Sequence, residues 1–307
     1  MNTFQLAEKK SLLTSGHSMC AGCGAPIIVR AVLSVSGKNT VVSNATGCLE
    51  VATTIYPTSA WNVPWIHNTF ENAAATISGV ESAYQFLKKK RKIKEKINFI
   101  AFGGDGGTYD IGLQSLSGAL ERRHRFLYVC YDNEAYMNTG NQRSSATPLG
   151  SATSTTPAGS VKSGKEIIRK SLTEIAAAHK LEYVAQASVH NLVDLTNKVK
   201  KALDCNGPSL ITVIQPCPTN WGFPTDMTIY LAKAAAETCF WPLYEIENGK
   251  YHVTYMPKEK KPVEEFMKMQ KRFAHLFKPQ NSKVIEKIQK DIDHDWELLL
   301  KKEMDGQ

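Results

Sequence analysis

The sequence predicts an α/β fold with a doubly wound, mainly parallel sheet. The apolar run at residues 97–102, with further strands at 125–131 and 209–215, reads as strands buried on both faces. Segments with helical character separate them. Turn-forming residues follow each run: Gly103, Asn133 and Pro216.

The elements follow in chain order. Pro26 is placed to start a first helix. Residues 40–43 form a short strand, and the Ala-rich, apolar stretch 72–90 forms a long helix. The strand 97–102 ends in Gly103-Gly104-Asp105-Gly106-Gly107. A helix at 110–122 leads to the strand at 125–131. Ser, Thr, Gly and Pro dominate 144–164, which reads as loop, and 165–179 reads as helix. A strand at 183–185, a helix at 192–203 and the strand at 209–215 complete the alternation. The character changes near Thr238, where Tyr251-His252-Val253-Thr254-Tyr255 precedes a charged, helical tail. The expected division is an α/β domain over 1–237 and a C-terminal extension over 238–307, packed on the core or on a partner subunit.

Composition narrows the function. The chain has 307 residues, 42% hydrophobic and 21% charged, an ordinary globular mixture. No apolar run reaches the ~18 residues of a membrane span, and the N-terminal stretch lacks a signal-peptide pattern. Seven cysteines are an odd and scattered set, so a reducing cytoplasm is expected rather than a secreted disulfide scaffold. The net charge of +8 favours anionic partners. Its densest run, Lys88 to Lys96, carries no interleaved aromatics and reads as a solvated helix end rather than a nucleic-acid site.

The sharpest pattern is Gly104-Asp105-Gly106-Gly107 with Asn133 beyond it. Glycines let backbone approach a phosphate, and the following helix start favours an anion. Asp105 and Asn133 fall at the carboxyl ends of two strands, where ligands bind in such sheets. A carboxylate, an amide oxygen and a backbone carbonyl suit magnesium bridging a diphosphate. The dinucleotide and P-loop patterns are both absent. Gly-Asp-Gly followed at this gap by Asn is similar to the thiamine diphosphate signature.

Cys20, Cys23, Cys48 and Cys217 lie beside Gly or Pro in loops, whereas Cys130 reads as core and Cys205 and Cys239 as structural. Spacing leaves three readings open for the four: a structural zinc, a dithiol, or a [4Fe–4S] cluster. The zinc reading lacks a second C-x-x-C, and the dithiol leaves Cys48 unused. Oxidative thiamine chemistry needs an electron acceptor, and no flavin or nicotinamide motif is visible, which favours the cluster.

Long stretches resemble one family. They are Cys20-Ala21-Gly22-Cys23-Gly24, Ala45-Thr46-Gly47-Cys48-Leu49-Glu50 and Trp61-Asn62-Val63-Pro64-Trp65-Ile66-His67-Asn68. To these are added Gly104 to Gly107, Tyr131 to Gly140 and Gln215-Pro216-Cys217-Pro218. Together they resemble the β subunits of the 2-oxoacid:ferredoxin oxidoreductases, with pyruvate as the expected substrate. The resemblance implies the diphosphate-binding half of a thiamine enzyme. It implies that Cys20, Cys23, Cys48 and Cys217 ligate a [4Fe–4S] cluster, and that Asp105, Asn133 and the Ala135 carbonyl bind Mg2+. Gly104, Gly106 and Thr139 would line the diphosphate, Gly47 and Cys48 would meet the cofactor, and Asn138 would lie near the reacting carbon.

The implied reaction is reversible oxidative decarboxylation of pyruvate with coenzyme A to acetyl-CoA and CO2, with electrons leaving to ferredoxin. The family's activating glutamate comes from an α subunit, so Glu50 and Glu71 are candidates by residue type only. Further γ and ferredoxin-like δ chains are expected. A branched-chain 2-oxoacid or oxalate is the alternative substrate, and a non-oxidative thiamine enzyme with structural zinc the more distant one. His67 is either a proton shuttle or a helix-entry residue packed on Trp65. Trp61, Trp65 and Trp221 read as packing or interface residues; Arg143 and Ser144 are either coenzyme A contacts or, for the arginine, a loop closure. Asn220 stands where the family usually has Gly, and local adjustment is expected there because Asn tolerates a left-handed backbone.

Overall fold

The computed structural model describes residues 8–159 and 163–306. Residues 1–7, 160–162 and 307, which belong to the N-terminal stretch, the 144–164 loop and the tail, lie outside the described residues. An eight-stranded sheet runs in the order β2-β1-β3-β4-β6-β5-β7-β8. Its strands are β1 Thr40–Ala45, β2 Trp65–Asn68, β3 Asn98–Gly104, β4 Leu127–Asp132, β5 Tyr183–Ser188, β6 Ser209–Ile214, β7 Leu243–Glu247 and β8 Lys250–Tyr255. The first six are mutually parallel, whereas β7 pairs antiparallel with β5 and β8 antiparallel with β7.

Strand alternation builds two apolar layers. On β3 and β4, Ile100, Phe102, Leu127, Val129 and Tyr131 face one layer, where α1 (Ala25–Ser36) and α6 (Leu192–Asp204) pack. Phe99, Ala101, Tyr128 and Cys130 face the other, under α3 (Ala73–Lys89), α4 (Leu113–Glu121) and α5 (Leu172–Ala177). Both faces are therefore covered, as the apolar runs required. The C-terminal α9 (Ser282–Asp305) contributes Trp296 and Leu299 to the second layer. A third apolar group joins Trp221, α7 (Thr228–Glu237), α8 (Val263–Met267) and the 3-10 turn Lys271–Phe277. Among the described residues no helix is long and apolar enough to cross a membrane.

Three local expectations change. The helix expected at 110–122 opens instead as a π-turn, Gly106–Ile111, closed by Gly112 N–H donating to Gly107 O at 2.7 Å. The helix expected at 165–179 shrinks to α5. Arg169 is drawn to Asp132 and Glu134, and Lys170 stands 3.7 Å from Asp110, which holds that stretch out of the helix. Ser171 then caps α5 through Glu174 N–H, a signal legible as Ser171-x-x-Glu174. Asn220 does not take the left-handed conformation; Gly222 does, at φ +73°, and the Asn220 amide donates to Met137 O.

Candidate active site

The carboxyl ends of β1, β3, β4 and β6 lie side by side and carry the predicted residues. A cavity at this edge is lined by Thr46, Gly47, Cys48, Phe70, Gly104 to Gly107, Tyr131, Asn133 and Ala135 to Thr139. Every residue assigned from sequence to the magnesium, the diphosphate and the reacting carbon thus borders one space. Asn138 and Thr139 sit exposed at its mouth, in a loop closed by paired backbone hydrogen bonds between Tyr136 and Gln142. Gly106 has a steric reason: a Cβ there would stand 2.5 Å from the Tyr136 ring, which stacks on Phe70.

The oxygens test the metal reading. Asn133 Oδ1 stands 2.8 Å from the Ala135 carbonyl oxygen and 2.9 Å from Asp105 Oδ1. The Asn133 amide oxygen therefore meets two other acceptors with no hydrogen set between them, although Asp105 Oδ1 also accepts from the Asn133 main-chain N–H at 3.3 Å, and a cation resolves that crowding. Turning the amide over would set its oxygen against Gln215 Oε1, which now accepts from Asn133 Nδ2 at 2.9 Å. The residues fit a hard divalent ion. Burial first, and Asp132 second, push the Asp105 carboxyl well above the usual carboxylate range. Ser144 Oγ donates to Asp105 Oδ2 at 2.5 Å.

The loop after β4 is clamped by buried charge. Glu134 takes φ +69° and accepts from Arg169 at 2.6 Å, while Arg272 lies 2.6 Å from its other oxygen. Arg272 comes from the C-terminal segment and lies over Trp221, 3.7 Å from the ring centroid. Trp221 in turn donates its indole N–H to Asn133 O at 2.8 Å.

The thiols gather at the same edge. Cys20 and Cys23 share a tight turn, with Cys23 N–H donating to Cys20 O. Gly22 in this turn, at φ +75°, lies against Thr225, where a Cβ would meet Thr225 O at 2.1 Å. That contact, with Thr228 Oγ1 donating to Gly22 O, seats the turn against the segment after Cys217. Cys20, Cys48 and Cys217 are electrostatic neighbours of Cys23. Burial pushes the Cys23 thiol up to about 12 and the Cys48 thiol up to about 11; Cys217 and Cys20 add to both. Cys130, Cys205 and Cys239 are buried elsewhere, on β4, at the end of α6 and after α7. Among the described residues no three His, Cys, Asp or Glu side chains close around a single ion.

A family model described as the thiamine pyrophosphate enzyme, C-terminal TPP binding domain, matches residues 45–213. Pyruvate synthase subunit PorB of Methanocaldococcus jannaschii is 55% identical, covering 95% of this chain and 97% of that one. The PorB subunit of Thermotoga maritima is 54% identical, covering 98% and 96%. The chain belongs to the 2-oxoacid:ferredoxin oxidoreductase family. Ketoisovalerate oxidoreductase subunit VorB of Pyrococcus abyssi, at 45% identity over 94% of this chain and 92% of that one, lies in the same circle. The fold is shared with the 2-oxoglutarate:ferredoxin oxidoreductase of Magnetococcus marinus, at TM-score 0.57 and 21% identity over 71% of this chain and 70% of that one.

Within this family member, several predicted roles shift. His67 lies on β2, not at a helix entry; it stacks on Trp65 and pairs with Thr46 Oγ1 at 2.9 Å. Ser144 is buried on Asp105 rather than offered to coenzyme A. Glu71 precedes α3, where Thr69 Oγ1 donates to it. Sequence reasoning gave no role to Gln215, Tyr131, Arg169 or Arg272. Tyr131 is buried at the cavity wall, and its hydroxyl has no hydrogen-bond partner among the described residues.

Proposed function

We propose that this chain is the PorB-type β subunit of a pyruvate synthase, working with Mg2+, thiamine diphosphate and a [4Fe–4S] cluster on its own thiols. The supporting observation is the meeting of three convergent oxygens and four neighbouring thiols at one sheet edge. Asp105, Asn133 and the Ala135 carbonyl would hold Mg2+, and Gly104, Gly106 and Thr139 would border the diphosphate. When bound, thiamine diphosphate supplies stabilisation of the carbanion left after CO2 departs from a 2-oxoacid. Asn138 at the mouth orients the substrate, and Gly47 and Cys48 join the cofactor cavity to the thiols. Cys20, Cys23, Cys48 and Cys217 would hold the cluster, which when bound would supply reversible electron transfer with ferredoxin.

The cavity wall contains no glutamate among the described residues, which supports an α subunit as the source of the activating carboxylate. Coenzyme A, ferredoxin and γ and δ chains complete the proposed partners, and seven cysteines with no disulfide among the described residues fit the cytoplasm. The 45% relationship to a ketoisovalerate subunit supports a second substrate reading, a branched-chain 2-oxoacid.

The deciding experiment is iron, acid-labile sulfide and zinc content of anaerobically purified protein, followed by thiamine-dependent assay with pyruvate and 2-oxoisovalerate. About four irons and four sulfides per chain are expected. Zinc without sulfide removes the electron-transfer role.

A further inference from the structure

We propose that Gln215 is a positioning residue that serves the cation site and the four-thiol site at once. It is buried, at the first position past β6. Its Oε1 accepts from Asn133 Nδ2 at 2.9 Å, and its Nε2 donates to Cys23 Sγ at 3.3 Å. Nε2 also approaches Pro216 O at 3.4 Å, and its main-chain N–H donates to Asp132 O at 2.7 Å.

The carboxamide takes the orientation that donor and acceptor logic favours. The Pro216 carbonyl can only accept, so the nitrogen of Gln215 points toward it and toward Cys23. The oxygen must then face Asn133, whose nitrogen answers it. Asn133 is left with its own oxygen turned toward Asp105 and Ala135, the face a cation requires. One side chain therefore selects the ligand atom of Asn133 across 82 residues and hydrogen-bonds a thiol across 192. Groups that orient metal ligands typically change metal affinity roughly 10- to 100-fold when removed. Hydrogen bonds to cluster sulfurs are among the determinants of reduction potential. Loss of the Nε2–H donor destabilises the reduced, more negative state, so the potential falls.

Gln215 acts this way only if the cation and cluster occupy the places proposed above. The test uses the anaerobically purified protein with whatever subunits accompany it. Wild type must first bind Mg2+–thiamine diphosphate and contain iron and sulfide. Failure there overturns the cofactor reading, and this proposal with it. Gln215→Met keeps length but loses both hydrogen bonds. It is expected to weaken Mg2+–thiamine diphosphate binding roughly 10-fold or more, by calorimetry, and to lower the cluster potential in a redox titration. Gln215→Glu keeps an acceptor for Asn133 but not the amide donor. Its affinity is expected to return to near wild type while the potential stays low. If loaded wild type passes but the Met variant changes neither reading, Gln215 has no such role and the cofactor reading stands. If the Met variant does not fold, the Glu variant decides: separated effects support the proposal, and joint loss or no change overturns it.

Discussion

The Ser144 hydroxyl donates a 2.5 Å hydrogen bond to Asp105 Oδ2, joining a loop to the glycine turn 39 residues earlier. Asp105 keeps its other oxygen, Oδ1, for Asn133 N–H at 3.3 Å and for the face shared with Ala135. Ser144→Ala removes the group that fixes this carboxylate. Mg2+–thiamine diphosphate affinity is expected to fall roughly 10-fold, measured by calorimetry at fixed magnesium. Unchanged affinity would show that Asp105 is held well enough by its backbone.

Asp105→Ala is the stronger case. It deletes the only acidic side chain on the cavity wall among the described residues. Magnesium-dependent thiamine binding is expected to be lost while the iron–sulfur absorption persists, because none of the four proposed cluster cysteines is changed. Simultaneous loss of both would mean that the variant disturbs the fold rather than the metal site.

Arg272 extends the argument to the C-terminal segment. It is buried against Trp221 and pairs with Glu134, whose backbone is left-handed. Arg272→Met leaves one oxygen of a fully buried carboxylate without its cation, so a loss of roughly 3–5 kcal/mol in urea unfolding is expected. Adding Glu134→Gln is expected to restore part of that loss. Strict additivity of the two changes would show that the pair does not interact.

His190 gives a pH prediction. Burial lowers its imidazole from 6.5 to about 4, with Nδ1 paired to Ser188 Oγ at 2.8 Å and the ring edge-on to Tyr255. As pH falls through 6.5 the unfolded chain binds a proton that the folded chain refuses until about 4, so stability drops across that window and levels below it. His190→Asn is expected to flatten this part of the profile in urea titrations at a series of pH values. A slope equal to wild type would assign the acid sensitivity to other groups.

The chemistry-bearing motifs were legible because each is local. A strand, a glycine turn and an aspartate make Gly104 to Gly107 recognisable without any partner, and the loop cysteines stand apart from Cys130 by their glycine and proline neighbours. The sheet was legible for the same reason: a run such as 99–102 is apolar on both alternating faces, and helices cover both faces of β3. The stretch 165–179 reads as helix because Lys165, Arg169 and Lys170 are good helix formers on propensity alone. What holds them out is remote, in Asp132, Glu134, Asp110 and the carbonyl of Thr147.

The sequence by itself determined the alternation of strands and helices, the turn that can cradle a phosphate, and the kinds of ligand atom available. Only the tertiary structure decided which atoms face one another. Gln215 meets Cys23 across 192 residues, Ser144 meets Asp105, and Arg272 meets Glu134. Those pairings depend on strand order and on which loops share the carboxyl edge of the sheet, and no local pattern of residues encodes that.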